Sequence, residues 1–273
     1  IGLDEVVSNT IVNASWEQQI AAPYAIELAN PPTEAQSLLR THLLPSLLEV
    51  ARRNFNQGAR SLALFELGKC FSAPPAETAL PVENWNIAAL YAGPLSTTTW
   101  QGPPRDMDFF DLKGALERLA YGIPLHFESV SFPGYRPGHS ASVCLDGETI
   151  GHIGQVAPDL CADFDIEAAV YIFELNFASL VDAWQQHRPA FVQLPKFPAA
   201  ERDLSVVVRD DVSHSAIAQE ITAGSLVENV EFFDLYQGAP IESGHKSLSF
   251  SIRLRHPERT LKDKQADADI NEI

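Results

Sequence analysis

The chain has 273 residues, 45% of them hydrophobic, and a formal net charge of −17 from 19 basic and 36 acidic side chains; this is enough apolar material for one large core or two ordinary ones. No apolar run approaches the ~20 residues of a membrane span, and the opening IGLDEVVSNT has neither the charged start nor the apolar centre of a signal peptide. No membrane association and a cytoplasmic location are therefore expected, and a start at Ile rather than Met reads as a piece of something longer. Cys70, Cys144 and Cys161 are too far apart for a CxxC pair and the eight His residues have no HExxH-like spacing, so buried thiols and no metal site are expected.

In chain order, PSLLEVARRNFNQG predicts a helix, with Leu44, Leu47, Leu48, Ala51 and Phe55 on one face, Pro45 at its first position and Gly58 as its stop. SLALFELGKCF predicts a strand entering the interior. DMDFFDLKGALERLAYG predicts a second helix with an Asp as cap and Gly122 after its end. In SASVCLDGETIGHIGQV, Asp146 and Gly147 between two alternating runs predict a hairpin, with Gly151 and Gly154 marking close backbone approach. AAVYIFELNF predicts a further strand, so residues 1–190 are expected to form an antiparallel sheet with flanking helices, an α+β fold.

Pro189, Pro195 and Pro198 break the pattern and place a boundary before residues 191–273. That second part predicts strand (RDLSVVV), helix (SHSAIAQEITAG, capped by Ser213), strand (NVEFFDLYQG), strand (HKSLSFSIRLRH) and a helix with Thr260 as cap and Asp263 in the capping-box position. This is the order of a ferredoxin-like α/β plait with its last strand missing.

Charge is uneven: residues 1–190 hold 10 basic and 22 acidic side chains, and residues 191–273 hold 9 and 14. Within 243–264, Lys246, Arg253, Arg255, Arg259, Lys262 and Lys264 stand against Glu258 and Asp263. Alternation turns Leu248, Phe250, Ile252 and Leu254 towards the helices and leaves Ser247, Ser249, Ser251, Arg253 and Arg255 on an open sheet face. A local basic cluster on an acidic background predicts an RNA-phosphate site made by Lys246, Arg253, Arg255 and Arg259. The same pattern also fits an ordinary solvated strand face.

The run NPPTEAQSLLRTHLLPSLLEVARRNFNQGARSLALFELGKCF, then FFDLKGALERL, YRPGHSASVCLDGETIGHIGQVAPDL, FPAAERDLSVVV, FFDLYQG and GHKSLSFSIRLRHPERTLKD, resemble in order the β subunit of bacterial phenylalanyl-tRNA synthetase. The resemblance implies a class II synthetase-like core over 1–190 that has lost the chemistry, and an anticodon-binding domain over 191–273. It implies a catalytic α subunit as partner in a two-α, two-β assembly, tRNA(Phe) as ligand, and ATP and Mg2+ for the whole enzyme but no cofactor on this chain. By the same resemblance Tyr236 stacks on an anticodon base. Arg202 in ERDL either contacts RNA backbone or pairs with Glu201 or Asp203. The leucines of LLRTHLLPSLL, Leu43, Leu44, Leu47 and Leu48 among them, exceed one buried stripe and suggest a contribution to the subunit interface beside an ordinary core role.

A class II active site needs Arg on a strand for the α-phosphate and Arg at a helix start for adenine and the γ-phosphate. LFELGK offers Glu66 and Gly68 instead, so no catalytic residue is expected here. The alternative is a free-standing RNA-binding paralogue without a catalytic partner.

Overall fold

Two apolar-rich runs of eleven residues, 62–72 and 82–92, form an antiparallel pair inside a seven-stranded sheet. The computed structural model describes every residue except 1, 21–24, 74–79, 96–101, 103, 104, 189, 192 and 273. It divides into two compact units, Ile1–Pro189 and Ala190–Ile273; Pro189, one of the three boundary prolines, lies outside the described residues.

The first unit runs β1 (Asp4–Glu5), β2 (Ile11–Asn13), α1 (Ala14–Gln19), β3 (Ile26–Glu27), β4 (Gln36–Leu39), α2 (Leu44–Asn56), β5 (Leu62–Ser72), β6 (Val82–Ala92) and α3 (Phe109–Leu119). It continues with β7 (His126–Ser129), β8 (Tyr135–Leu145), β9 (Glu148–Val156), α4 (Pro158–Asp163), β10 (Val170–Asn176) and α5 (Phe177–Gln186). The sheet order is β1-β5-β6-β10-β9-β8-β7, antiparallel except for β1 beside β5, and β2, β4 and β3 form a small separate sheet. At the β8–β9 turn Asp146 and Gly147 both take positive φ, 49° and 84°, which matches the right-handed twist of a two-residue hairpin.

One sheet face carries α2: Leu43, Leu44, Leu47 and Leu48 pack with Leu62, Leu64, Leu90 and Ile172. The other carries α3 and α5, whose Leu112, Leu116 and Leu180 meet Ile87, Ala89 and Phe173. The four α2 leucines are at most 3% exposed. Their apolar surface is therefore used inside this chain, as the core role expected of them requires; burial of each contributes roughly 1.5–3 kcal/mol here. The three thiols are free and buried, and burial pushes Cys161 up to about 11.

Three buried carboxylates hold the segment entering α2. Arg40 pairs with Glu66 at 2.8 Å and donates to the Lys69 carbonyl and Ser8 Oγ, both also at 2.8 Å. Thr41 donates its N–H and its hydroxyl to Glu17. Leu43 and Leu44 donate their N–H groups to Glu174 Oε2 at 2.9 and 3.3 Å, doing for α2 what its own N-cap residue, Leu43, cannot. Burial alone would raise Glu174, but His42 at 3.7 Å, the Asn86 amide and the Leu43 N–H outweigh it and hold the carboxyl below its usual range.

The second unit runs β11 (Ala200–Arg209), α6 (His214–Thr222), β12 (Val227–Tyr236), β13 (His245–Leu254) and α7 (Asp263–Glu272), with antiparallel strand order β11-β13-β12. This is the plait expected, with three strands among the described residues. Ser213 caps α6 through Ala216 N–H. α7 starts at Asp263, so Thr260 lies before the helix and is not its cap, and Asp263 pairs with Arg202 instead of completing a capping box.

A carboxylate with a depressed folded pKa adds stability that is complete above its unfolded value and is lost as pH falls through the folded one. Glu174→Gln is therefore expected to lower stability at neutral pH by about 3–5 kcal/mol, as breaking a buried pair does. It should also lose less than the parent as pH falls below about 4.5, as read by urea unfolding across pH. Gly68→Ala places a Cβ 2.2 Å from Arg40 Nη2. The guanidinium can retreat only by leaving Glu66, and a loss of about 1–3 kcal/mol is expected in the same assay.

Candidate nucleic-acid interface

The open face of the second unit is fixed by register, because residues opposite one another on neighbouring strands share a face. Across β11, β13 and β12 it carries four rows: Val207, Ser247 and Tyr236; Ser205, Ser249 and Asp234; Asp203, Ser251 and Glu231; Glu201, Arg253 and Asn229. The other face buries Leu248, Phe250, Ile252 and Leu254 against α6 and α7. Small serine side chains run along β13 on this face, and Ser205 and the buried Ser249 share a hydrogen bond of 2.8 Å between strands.

Tyr236 sits at one end of this serine column, half exposed, its hydroxyl donating to the Ala239 carbonyl in the following loop. The ring is thus held as a platform rather than left to rotate. Phe233, the extra residue at the register shift between Phe232 and Asp234, is 55% exposed. Arg253 marks the far end, about 20 Å along the strand from Ser247.

The six predicted RNA-contacting residues do not gather on this face. Arg202 lies opposite Ile252 and therefore on the helix side, where it bonds Asp263 at 3.0 Å and Asp267 at 2.8 Å of α7. Lys246 lies opposite Val208, also on the helix side, and donates to the Asp210 carbonyl. Arg253 is on the open face but pairs with Glu201 at 3.1 Å. Arg255, just past the strand, pairs with Glu228 at 2.8 Å and donates to the Phe197 carbonyl. Arg259 is exposed in the loop after β13, and among the described residues it has no recorded partner.

The open face is therefore acidic, with Glu201, Asp203, Glu231 and Asp234 against the guanidiniums of Arg253 and, beyond the four rows, Arg209 opposite His245, each paired with a carboxylate. A basic run along one strand became an acidic face because the neighbouring strands supply the carboxylates. Asp203 and Asp234 were missed in the sequence; the signal was alternation in RDLSVVV and NVEFFDLY, which becomes informative only once register aligns the strands.

In the first unit a cavity of about 250 Å³ lies against β6, β9 and β10. No Arg or Lys lines it, and Arg40, 2% exposed, is held on Glu66. Among the described residues no three His, Cys, Asp or Glu could hold a metal ion. These residues do not fit magnesium-ATP, whose phosphates need fixed cations.

Comparison with known proteins gives two family matches: "Phenylalanyl tRNA synthetase beta chain CLM domain" over residues 1–177 and "Ferredoxin-fold anticodon binding domain" over residues 195–273. The phenylalanine–tRNA ligase beta subunit of Xanthomonas euvesicatoria pv. vesicatoria is 37% identical over 99% of this chain and 34% of its own length. That of Symbiobacterium thermophilum is 34% identical over 100% of this chain and 32% of its own. The chain thus spans about a third of these curated relatives. A pyrrolysyl tRNA synthetase of Desulfitobacterium hafniense shares the fold, with a TM-score of 0.50 at 16% identity over 68% of this chain and 64% of that one.

Proposed function

The chain belongs to the phenylalanyl-tRNA synthetase β-chain family, and from that membership we propose that it serves phenylalanine–tRNA ligase by holding the anticodon region of tRNA(Phe) while a partner α chain carries the ATP- and Mg2+-dependent chemistry. Residues 1–190 act as the non-catalytic scaffold that meets the α chain, in a two-α, two-β assembly in the cytoplasm, and residues 191–273 receive the RNA.

The observation that carries the RNA role is the open sheet face with Tyr236 fixed at its end beside Ser247. A loop base can stack on the tyrosine ring. Its edge then meets the Ser247 hydroxyl and the Asp234 carboxylate, which only accepts hydrogen bonds and so favours base N–H groups. The carboxylate rows repel phosphates from the sheet and confine backbone contacts to its margins, where Arg259, Lys262 and Lys264 lie in the stretch from the β13 end into α7. This site contacts bases first and phosphates little, which reverses the expectation from the basic strand.

The expected outcome for an anticodon stem-loop RNA is a weak salt dependence, with a log–log slope of about −1 to −2 rather than the steeper slope of a phosphate-tracking strand. Tyr236→Ala is expected to weaken binding about 10- to 100-fold, as loss of one stacked base does, whereas Arg253→Ala changes it less than about three-fold. Fluorescence anisotropy at several salt concentrations measures all three. A large Arg253 effect with an unchanged Tyr236 variant would defeat this placement, and failure to co-purify with a cognate α chain would favour the free-standing RNA-binding alternative.

A further inference from the structure

On the α2 side of the large sheet the inward residues change character along the strands. β5 presents Leu62 and Leu64, then Glu66 and Gly68; β10 presents Val170 and Ile172, then Glu174 and Asn176; antiparallel β6 presents Asn84 and Asn86 before Ala88 and Leu90. Register sets Asn86 between Gly68 and Asn176, and Glu174 beside His152. Buried polar groups cost free energy unless bonded; of this set Glu66 and Glu174 are buried and engaged by the fold, whereas Asn84, like His152 on β9, is only half-buried. Glu174 holds Leu43, Leu44 and Asn86. Among the described residues, no hydrogen-bond partner is recorded for the Asn84 amide or either His152 ring nitrogen.

These unengaged groups line the 250 Å³ cavity together with His42, Phe132 and Thr149. His152 lies flat on Phe132, with ring centroids 3.8 Å apart and planes at 27°, forming an aromatic wall. His42 lies 3.7 Å from Glu174, and although burial alone would lower the imidazole's pKa, the carboxylate beside it raises it. With a buried carboxylate behind it and no Lys or Arg in the lining, the cavity disfavours phosphate and other anions. What remains is a flat surface, neutral amide and hydroxyl groups, and room for one small molecule.

We propose that this cavity binds an uncharged planar nitrogen heterocycle, a nucleobase or its nucleoside, stacked on the His152–Phe132 pair with its edge read by the Asn84 amide. An amide offers a donor and an acceptor side by side, the complement of a heterocycle edge. The ligand is either a free nucleoside or a base displayed by single-stranded RNA, and binding here is independent of the proposed role of the second unit.

The test is NMR of the histidine ring signals in the full chain carrying Tyr236→Ala, which silences the sheet face of the second unit. The probes are adenosine, cytidine, adenosine 5′-triphosphate and a short single-stranded ribo-oligonucleotide. Saturable shifts of His42 and His152 with a nucleoside are expected in the range of about 0.1–10 mM. Asn84→Ala, which removes no recorded hydrogen bond, and His152→Leu should each weaken this by about ten-fold or more. Shifts with the oligonucleotide but not the nucleosides support the proposal and assign the base to an RNA strand. The absence of saturable shifts with every probe overturns the proposal, as does tighter binding of the triphosphate than of adenosine, or affinity unchanged in both variants.

Discussion

The first unit depends on how five consecutive residues, Arg40 to Leu44, are held. Arg40 is bound by Glu66 of β5, Thr41 by Glu17 of α1, and Leu43 and Leu44 by Glu174 of β10, while Phe71 N–H donates to the Arg40 carbonyl at 2.9 Å. Carboxylates buried this deeply are costly when unpaired. Each finds its partner only when α1, the segment before α2 and the two strands are together, so the polar contacts exclude arrangements that apolar packing alone would tolerate. They set the depth and direction from which α2 lays its leucines on the sheet. A helix without a side-chain cap of its own is completed by a residue 131 positions away from its N-cap residue Leu43.

In the second unit electrostatics act by subtraction. The guanidiniums of Arg202, Arg209, Arg253 and Arg255 each have a carboxylate partner. Such exposed pairs add little stability, but they remove free cations from the sheet and leave acceptors around its serine column. With phosphates disfavoured there, the RNA role proposed above would draw its affinity from stacking and edge contacts, the interactions that distinguish a single-stranded loop from a duplex.

Much of the fold was legible because it is local. The Asp146–Gly147 hairpin, the Asp108 and Ser213 caps and the five elements of the second unit follow from spacing and residue type within a dozen positions. The site was less legible because it is not local. Alternation placed Arg253 on the open face correctly, but the Glu201 beside it lies 52 residues earlier in the chain, and Arg202 took its partners from a helix 61 and 65 residues later. The extra leucines before and within α2 pack inside the chain because a sheet can cover a helix more widely than a single-stripe count allows. Glu17, Glu66 and Glu174 gave no signal beyond being acids at inward phases of their elements, which in isolation reads as a flaw in the pattern.

The buried Arg40–Glu66 pair also bears on why the first unit suits a scaffold better than a nucleotide-phosphate site. A guanidinium becomes useful to a phosphate when it is fixed yet exposed. Arg40 is fixed but 2% exposed, and its Nε and Nη1 donors are directed to Lys69, Ser8 and Glu66. Removing Glu66 would not release it to a ligand, since the Lys69 carbonyl and Ser8 would still hold it. The same carboxylates that fasten the entry to α2 thus tie up the nearest cation, and the cavity at the polar end of the sheet is lined by amides, hydroxyls, imidazoles and the Glu174 carboxylate, with no Lys or Arg. A cavity so furnished can recognise a flat neutral ring by shape and hydrogen bonding, but it cannot stabilise charge developing on a phosphate.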